Sequence, residues 1–151
     1  MKKSVAFTQE GYNALLERKE KLLKERPGAV AELKRAREMG DLSENGAYKG
    51  ARFKLSQIDR DLRFVEDLLK KAYVSTATTV GFVDIGTTVV VSTDNKTLTY
   101  AIVGGYESNP LEGKISHISP LGKSLLGKKI GDSITISAPK GEVTYTILEI
   151  K

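Results

Sequence analysis

The rhythm of apolar and polar positions changes near residue 72, and the change divides the chain in two. Tyr48, Ala51, Leu55, Ile58, Leu62, Val65, Leu69 and Ala72 follow one another in alternating steps of three and four. That is the seam of a coiled coil, because only this spacing keeps one stripe of a helix facing a partner. Lys49, Arg52, Lys54, Asp59, Arg60, Asp61, Arg63, Glu66, Asp67, Lys70 and Lys71 lie between those positions and form a solvated face. A single narrow stripe predicts a single partner helix. The preceding stretch supplies it through Tyr12, Leu15, Leu16, Leu22, Leu23, Val30, Leu33, Ala36 and Met39. Thr8 is placed to cap this first helix, with Phe7 as the apolar residue just outside. Pro27-Gly28 predicts a kink or a short break, since proline lacks the N–H and crowds the preceding turn. Each arm then has roughly 30 residues and a length of about 45 Å. So short a connection makes the arms antiparallel.

After Lys71 the pattern becomes β-branched and short-period. Val74 to Thr79 reads as a linker into a strand-rich second half. Thr87–Thr93 and Leu98–Val103 flank Asp94-Asn95-Lys96-Thr97, which signals a hairpin. Gly113–His117, Ile134–Ser137 and Val143–Ile150 predict further strands; the last carries apolar residues on both faces near its end, as an interior strand would. Ser119-Pro120 opens a short helix and Gly127 closes it. The fold class is therefore α+β: an N-terminal antiparallel α-helical coiled-coil hairpin over residues 1–75, a linker at 76–80, and a small antiparallel-sheet domain with one short helix over 81–151.

Composition narrows the chemistry. The 151 residues include no cysteine, which excludes disulfides and thiolate metal sites. No apolar run approaches the ~20 residues of a membrane span, and no signal-like segment follows Met1, so the cytoplasm is the expected compartment and no membrane partner is expected. The net charge of +5 is uneven. Residues 1–75 hold 17 basic and 12 acidic side chains, while residues 76–151 hold seven of each. Lys34, Arg35, Arg37, Lys49, Arg52 and Lys54 gather in sequence around the connection between the arms, and such a collar suits phosphates. Helical rods are commonly charged, so the collar also reads simply as a solvated surface.

The connection itself, Gly40-Asp41-Leu42-Ser43-Glu44-Asn45, places two carboxylates three residues apart at residues 40–45, the far end of the rod. Two readings stand side by side. Asp41 and Glu44 have the spacing of a capping box, with Ser43 as another possible N-cap. Alternatively they are exposed oxygen donors that a long lever delivers to another molecule's site.

Several segments together resemble the GreA transcription elongation (transcript cleavage) factors of the bacterial Gre family. They are the tip hexapeptide with Tyr48, Arg26-Pro27, Ala36-Arg37, Gly113-Lys114-Ile115-Ser116, Ser119-Pro120 and Leu125-Leu126-Gly127-Lys128. The resemblance spans nearly the whole chain in order and spacing. It implies an FKBP-like second domain that docks at the rim of the RNA polymerase secondary channel, and a coiled coil that enters the channel to meet the 3′ end of backtracked nascent RNA. It also implies that Asp41 and Glu44 help hold a Mg²⁺ shared with the polymerase and position the attacking water. The polymerase supplies the remaining ligands, so the protein binds no cofactor alone and is not itself an enzyme. Arg37 and Arg52 match positions implied to contact RNA; Lys49 and Lys54 are added on charge and proximity. Ser119, Pro120 and Leu121 are the implied docking segment. Ser43 supports the tip by hydrogen bonding, and Tyr48 lies near the RNA end or packs in the seam.

The tip departs from the family pattern at Asn45-Gly46-Ala47-Tyr48, where the family commonly has Asn-Ala-Glu-Tyr. One acid fewer weakens the field for a metal, and a glycine in the first turn predicts a late or frayed helix start. His117, the lone histidine, reads as a structural, hydrogen-bonded side chain. The expected state is a monomer, because the apolar seam is used within the hairpin. Two other functions share these features: a channel-blocking inhibitor without cleavage, and a coiled-coil adapter whose tip is only a cap.

Overall fold

A computed structural model describes residues 4–40, 45–75 and 81–151. The described chain forms two compact units, Met1–Tyr12 with Ala72–Lys151, and Asn13–Lys71. The first twelve residues therefore group with the larger unit, although they precede the hairpin in sequence. Their side chains explain why: Ala6 is buried in the core of the larger unit, and Val5–Phe7 (β1) pairs in parallel with Ala72–Val74 (β2).

The smaller unit is the hairpin, built from α1 (Gln9–Arg37, whose first turn belongs to the larger unit) and α2 (Gly46–Lys71). Ion pairs link Arg26 to Asp59 and Glu32 to Lys54, so residues advancing along α1 meet residues receding along α2, as antiparallel arms require. The buried residues of α1 are Leu15, Leu22, Ala29 and Ala36, a strict seven-residue repeat. Those of α2 are Ala51, Ile58, Leu62, Val65 and Leu68. Here the expectations need correction. Leu16, Leu23, Val30 and Met39 are exposed, and the small Ala29 takes the seam. At the lower end of α2, Leu68 is buried and Leu69 only half so, while Ala72 has left the helix for β2. The break at Pro27 is absent, because α1 is continuous through it. Proline already has a helical φ, and the seam on either side, at Leu22 and Ala29, offsets the missing hydrogen bond.

The seam is graded along its length. Leu15 and Leu22 share the root end with Leu62, Val65 and Leu68; Ala29 and Ala36 share the tip end with Ala51. Burial is worth about 0.8 kcal/mol per methylene. Apolar packing therefore fades toward the tip.

The larger unit holds a five-stranded sheet made of β3 (Thr88–Thr93), β4 (Lys96–Val103), β5 (Lys114–Ser116), β6 (Ser133–Ala138) and β7 (Gly141–Ile150), in the order β5-β4-β3-β7-β6. β7 lies inside the sheet, as its two apolar faces predict. The sheet is not wholly antiparallel, since β4 and β5 run parallel. A one-turn helix at Pro110–Glu112, which no strand or helix signal marked, lies in the crossover between them. The β3–β4 turn is tighter than expected, with Asp94 and Asn95 alone at its corner, at φ 45° and 62°. Both are residues that accept the left-handed region a two-residue hairpin demands. Val83, Ile85, Val89, Val91, Ile102, Leu125, Ile134 and Ile147 join Ala6 in one core.

The start of α1 is locked to this unit. Thr8 caps the helix as expected, its hydroxyl accepting from the Gly11 N–H at 3.0 Å. Glu107 accepts from the Thr8 N–H at 2.9 Å, from the Gly104 N–H at 3.0 Å and from the Thr8 hydroxyl. Phe7 and Tyr106 stack with ring centroids 6.3 Å apart. Gly104 is required here, because a Cβ would collide with the Ala6 carbonyl.

Candidate functional site: the tip of the hairpin

Where α1 ends and α2 begins, backbone groups are left over: the last carbonyls of one helix and the first N–H groups of the other. Asn45 answers both. Its side-chain oxygen accepts from the Tyr48 N–H at 3.1 Å, the bond of an N-cap. Its side-chain nitrogen donates to the Ala36 carbonyl at 3.0 Å, and its own carbonyl accepts from the Lys49 N–H at 3.1 Å. Among the described residues, Asn45 is the one whose side chain caps the first turn of α2. The expected late start of α2 is corrected, since the helix begins at Gly46 itself in spite of the glycine. The capping-box reading of Asp41 and Glu44, their metal role and the supporting role of Ser43 all lie outside the described residues.

The collar is in place around this junction. Lys34, Arg35 and Arg37 occupy the last turn of α1, where cations complement the helix dipole. They are exposed, as are Lys49, Arg52 and Lys54 on α2. Lys54 is engaged by Glu32 at 3.3 Å. Further along, Arg26 holds Asp59 through a 2.6 Å bond, and this hydrogen bond draws the Asp59 carboxyl below its ordinary range. Between the arms runs a groove of about 440 Å³, lined by Glu32, Arg35, Ala36, Met39, Ala47, Gly50 and Ala51. Four of its lining residues, Ala36, Ala47, Gly50 and Ala51, are small. Tyr48 is half-buried, and its backbone N–H is the one Asn45 caps.

The segment expected to dock lies in the larger unit. Ser119 is half-buried with its hydroxyl committed twice, accepting from the Gly122 N–H at 3.1 Å and donating to the Ser116 carbonyl at 2.6 Å. It caps α3 (Pro120–Leu125), as the Ser-Pro pair predicts. Leu121 packs on the core and Pro120 is exposed. Just before them Ile118 is largely exposed, and Leu111 of the one-turn helix is 99% exposed. Neither was singled out from the sequence, where an isolated apolar residue in a loop carries no period. His117 sits 3.3 Å from the Val103 carbonyl through Nδ1, a structural contact.

Known proteins share both halves of this arrangement. Residues 5–74 match the family model "Transcription elongation factor, N-terminal", and residues 77–151 match "Transcription elongation factor, GreA/GreB, C-term". The chain is 40% identical over 154 residues to transcription elongation factor GreA of a Nitratiruptor species, covering 99% of this chain and 94% of that protein. It is 41% identical over 156 residues to GreA of Caldanaerobacter subterraneus subsp. tengcongensis, covering 100% and 99%. To GreA of Mycoplasma capricolum it is 40% identical over 157 residues, covering the whole of both. Two family models that together run from residue 5 to residue 151, and full-length relatives at this identity, leave one assignment: the chain belongs to the GreA/GreB family of transcription elongation factors.

Proposed function

We propose that this elongation factor acts on RNA polymerase in the cytoplasm, entering the secondary channel with its hairpin to stimulate the polymerase's own cleavage of backtracked nascent RNA. The observation that carries the reading is the tip. Two acids lie in the short connection between antiparallel helices, and Asn45 supplies a side-chain cap to α2. Asp41 and Glu44 are hard oxygen donors of the kind Mg²⁺ takes, and two of them are too few to hold that ion without ligands from a partner. A Mg²⁺ held by Asp41 and Glu44 together with the partner's ligands would supply charge neutralisation at the phosphodiester and a more acidic attacking water.

This chain's own residues have three tasks in that reading. Asp41 and Glu44 bring carboxylate oxygens to the site. Arg37, Arg52 and Lys49 offer exposed cations to the phosphates of the extruded RNA. The larger unit docks on the polymerase through the surface around Pro120. The graded seam supports the first task, because alanines at the tip end leave the rod slender where it must pass.

A stalled, backtracked elongation complex with Mg²⁺ tests the reading. The factor should shorten the RNA, and Asp41→Ala or Glu44→Ala should lower the cleavage rate roughly 10- to 100-fold while binding persists. Intact RNA with slowed synthesis would make the factor an inhibitor instead. No binding to polymerase would leave it an adapter.

A further inference from the structure

We propose that Asn45 is a positioning residue for the tip: one carboxamide closes the last turn of α1 and the first turn of α2, fixing both ends of the connection that carries Asp41 and Glu44. The inference rests on the cleavage reading above and adds a residue to it.

The geometry is reciprocal. The Asn45 side chain donates to Ala36 and accepts from Tyr48, so it spans two helices through a single planar group. A cap alone does not require asparagine, since aspartate and serine cap about as well. The bond to the Ala36 carbonyl does require it. A carboxylate has no donor to offer, and a serine hydroxyl is a shorter side chain that lacks the amide fork.

This polar clasp matters at this end of the rod more than it would at the other. Among the described residues Ala36 and Ala51 are the buried seam residues nearest the tip, and the groove beside them is lined by Ala47 and Gly50 together with Glu32, Arg35 and Met39. The larger apolar side chains there, Leu33 and Tyr48, are only half-buried, whereas Leu62, Val65 and Leu68 near the root are buried. With little apolar packing to set the spacing of the arms, the directed bonds of Asn45 set it. A reacting geometry misplaced by about 1 Å costs on the order of a hundredfold in rate. Acids delivered on the connection therefore depend on how firmly its ends are held.

Asn45→Asp and Asn45→Ser separate the two roles, because both keep the cap and lose the donor to Ala36; the neutral serine accounts for the charge that aspartate adds. Cleavage of backtracked RNA is measured against factor concentration, and helix content by far-ultraviolet circular dichroism. Both variants should keep parental helix content and a half-saturating concentration within about twofold, while the saturating cleavage rate falls roughly tenfold or more. In the unaltered protein the Asn45 side-chain amide protons should exchange slowly with solvent by NMR. An unchanged saturating rate in both variants, a loss confined to the half-saturating concentration, or fast-exchanging amide protons would each overturn the proposal. A parent that binds polymerase yet leaves RNA intact would remove the cleavage reading itself, and that outcome is distinguishable because it appears before any variant is made.

Discussion

The two units bury apolar surface in opposite ways. In the larger one, Ala6, Val89, Val91, Ile102, Leu125, Ile134 and Ile147 come from β1, β3, β4, α3, β6 and β7 and converge on one cluster with Val83 and Ile85. In the hairpin, burial is strung along a line, one residue of α1 every seven positions, and the residues shrink toward the tip. A cluster makes each member depend on many others, whereas a line lets one end differ from the other. The hairpin uses that freedom: leucine, isoleucine and valine near the root, alanine and a carboxamide clasp near the tip.

The largest expected effect tests the cluster against the line. Ile102 is fully buried at the centre of the core, so Ile102→Ala should cost about 2–5 kcal/mol in urea unfolding followed by near-ultraviolet signals of that unit. Ala36→Gly, at the thin end of the line, removes one methyl and some helix propensity and should cost about 1 kcal/mol of hairpin stability. Equal losses at the two sites would erase the contrast.

How much of this was legible in the sequence follows the same division. Most of the seam of α2 could be read directly, because Ala51, Ile58, Leu62 and Val65 fall on one run of three- and four-residue steps; it failed at the pair Leu68-Leu69, where the buried member is Leu68. That of α1 could not, because apolar residues come in adjacent pairs there: Leu15-Leu16, Leu22-Leu23 and Ala29-Val30. Periodicity alone does not choose within a pair, and in the third the smaller residue is the buried one. β1 and β2 are three residues each and pair across the entire hairpin, so neither leaves a local signature. Glu107 was missed for a related reason: two of its three donors, the N–H and hydroxyl of Thr8, come from a segment far away in sequence. At the tip, Asp41, Ser43 and Asn45 are all capping types within five positions, so the sequence does not choose among them; the geometry shows the Asn45 side chain accepting from the Tyr48 N–H. The Ser119 cap and the Asp94-Asn95 turn were readable because their chemistry is local.

A middle-sized effect of opposite sign sharpens the picture of a slender tip. Gly50 lies inside α2 with nothing within 4 Å of the place an added methyl would take, so alanine fits there without strain. Gly50→Ala should stabilise the hairpin by about 0.5–1 kcal/mol through reduced backbone entropy of the unfolded chain, seen as a higher thermal midpoint. Destabilisation would mean that position 50 is packed and the groove closed. Cleavage that falls while stability rises would show that the opening beside Ala47 and Ala51 serves the reaction.

The smallest effect concerns the exposed ion pairs that tie the arms between root and tip. Asp59 is held below its ordinary carboxyl range first by the hydrogen bond from Arg26, with the guanidinium charge adding to it. A lowered value in the folded state means that the pair stabilises above the unfolded aspartate value of about 3.9. That contribution is lost as pH falls through the lower, folded value. Asp59→Asn should therefore lower the thermal midpoint of the hairpin by at most a few degrees at pH 7. The difference from the parent should vanish on acidification and shrink in about 1 M salt, where screening is short-ranged. A larger loss that survives both would give the pair a different task. Arg26 precedes Pro27, where α1 lacks one backbone donor, and a persistent effect would mean that Asp59 holds the helix together across that gap instead of merely decorating its surface.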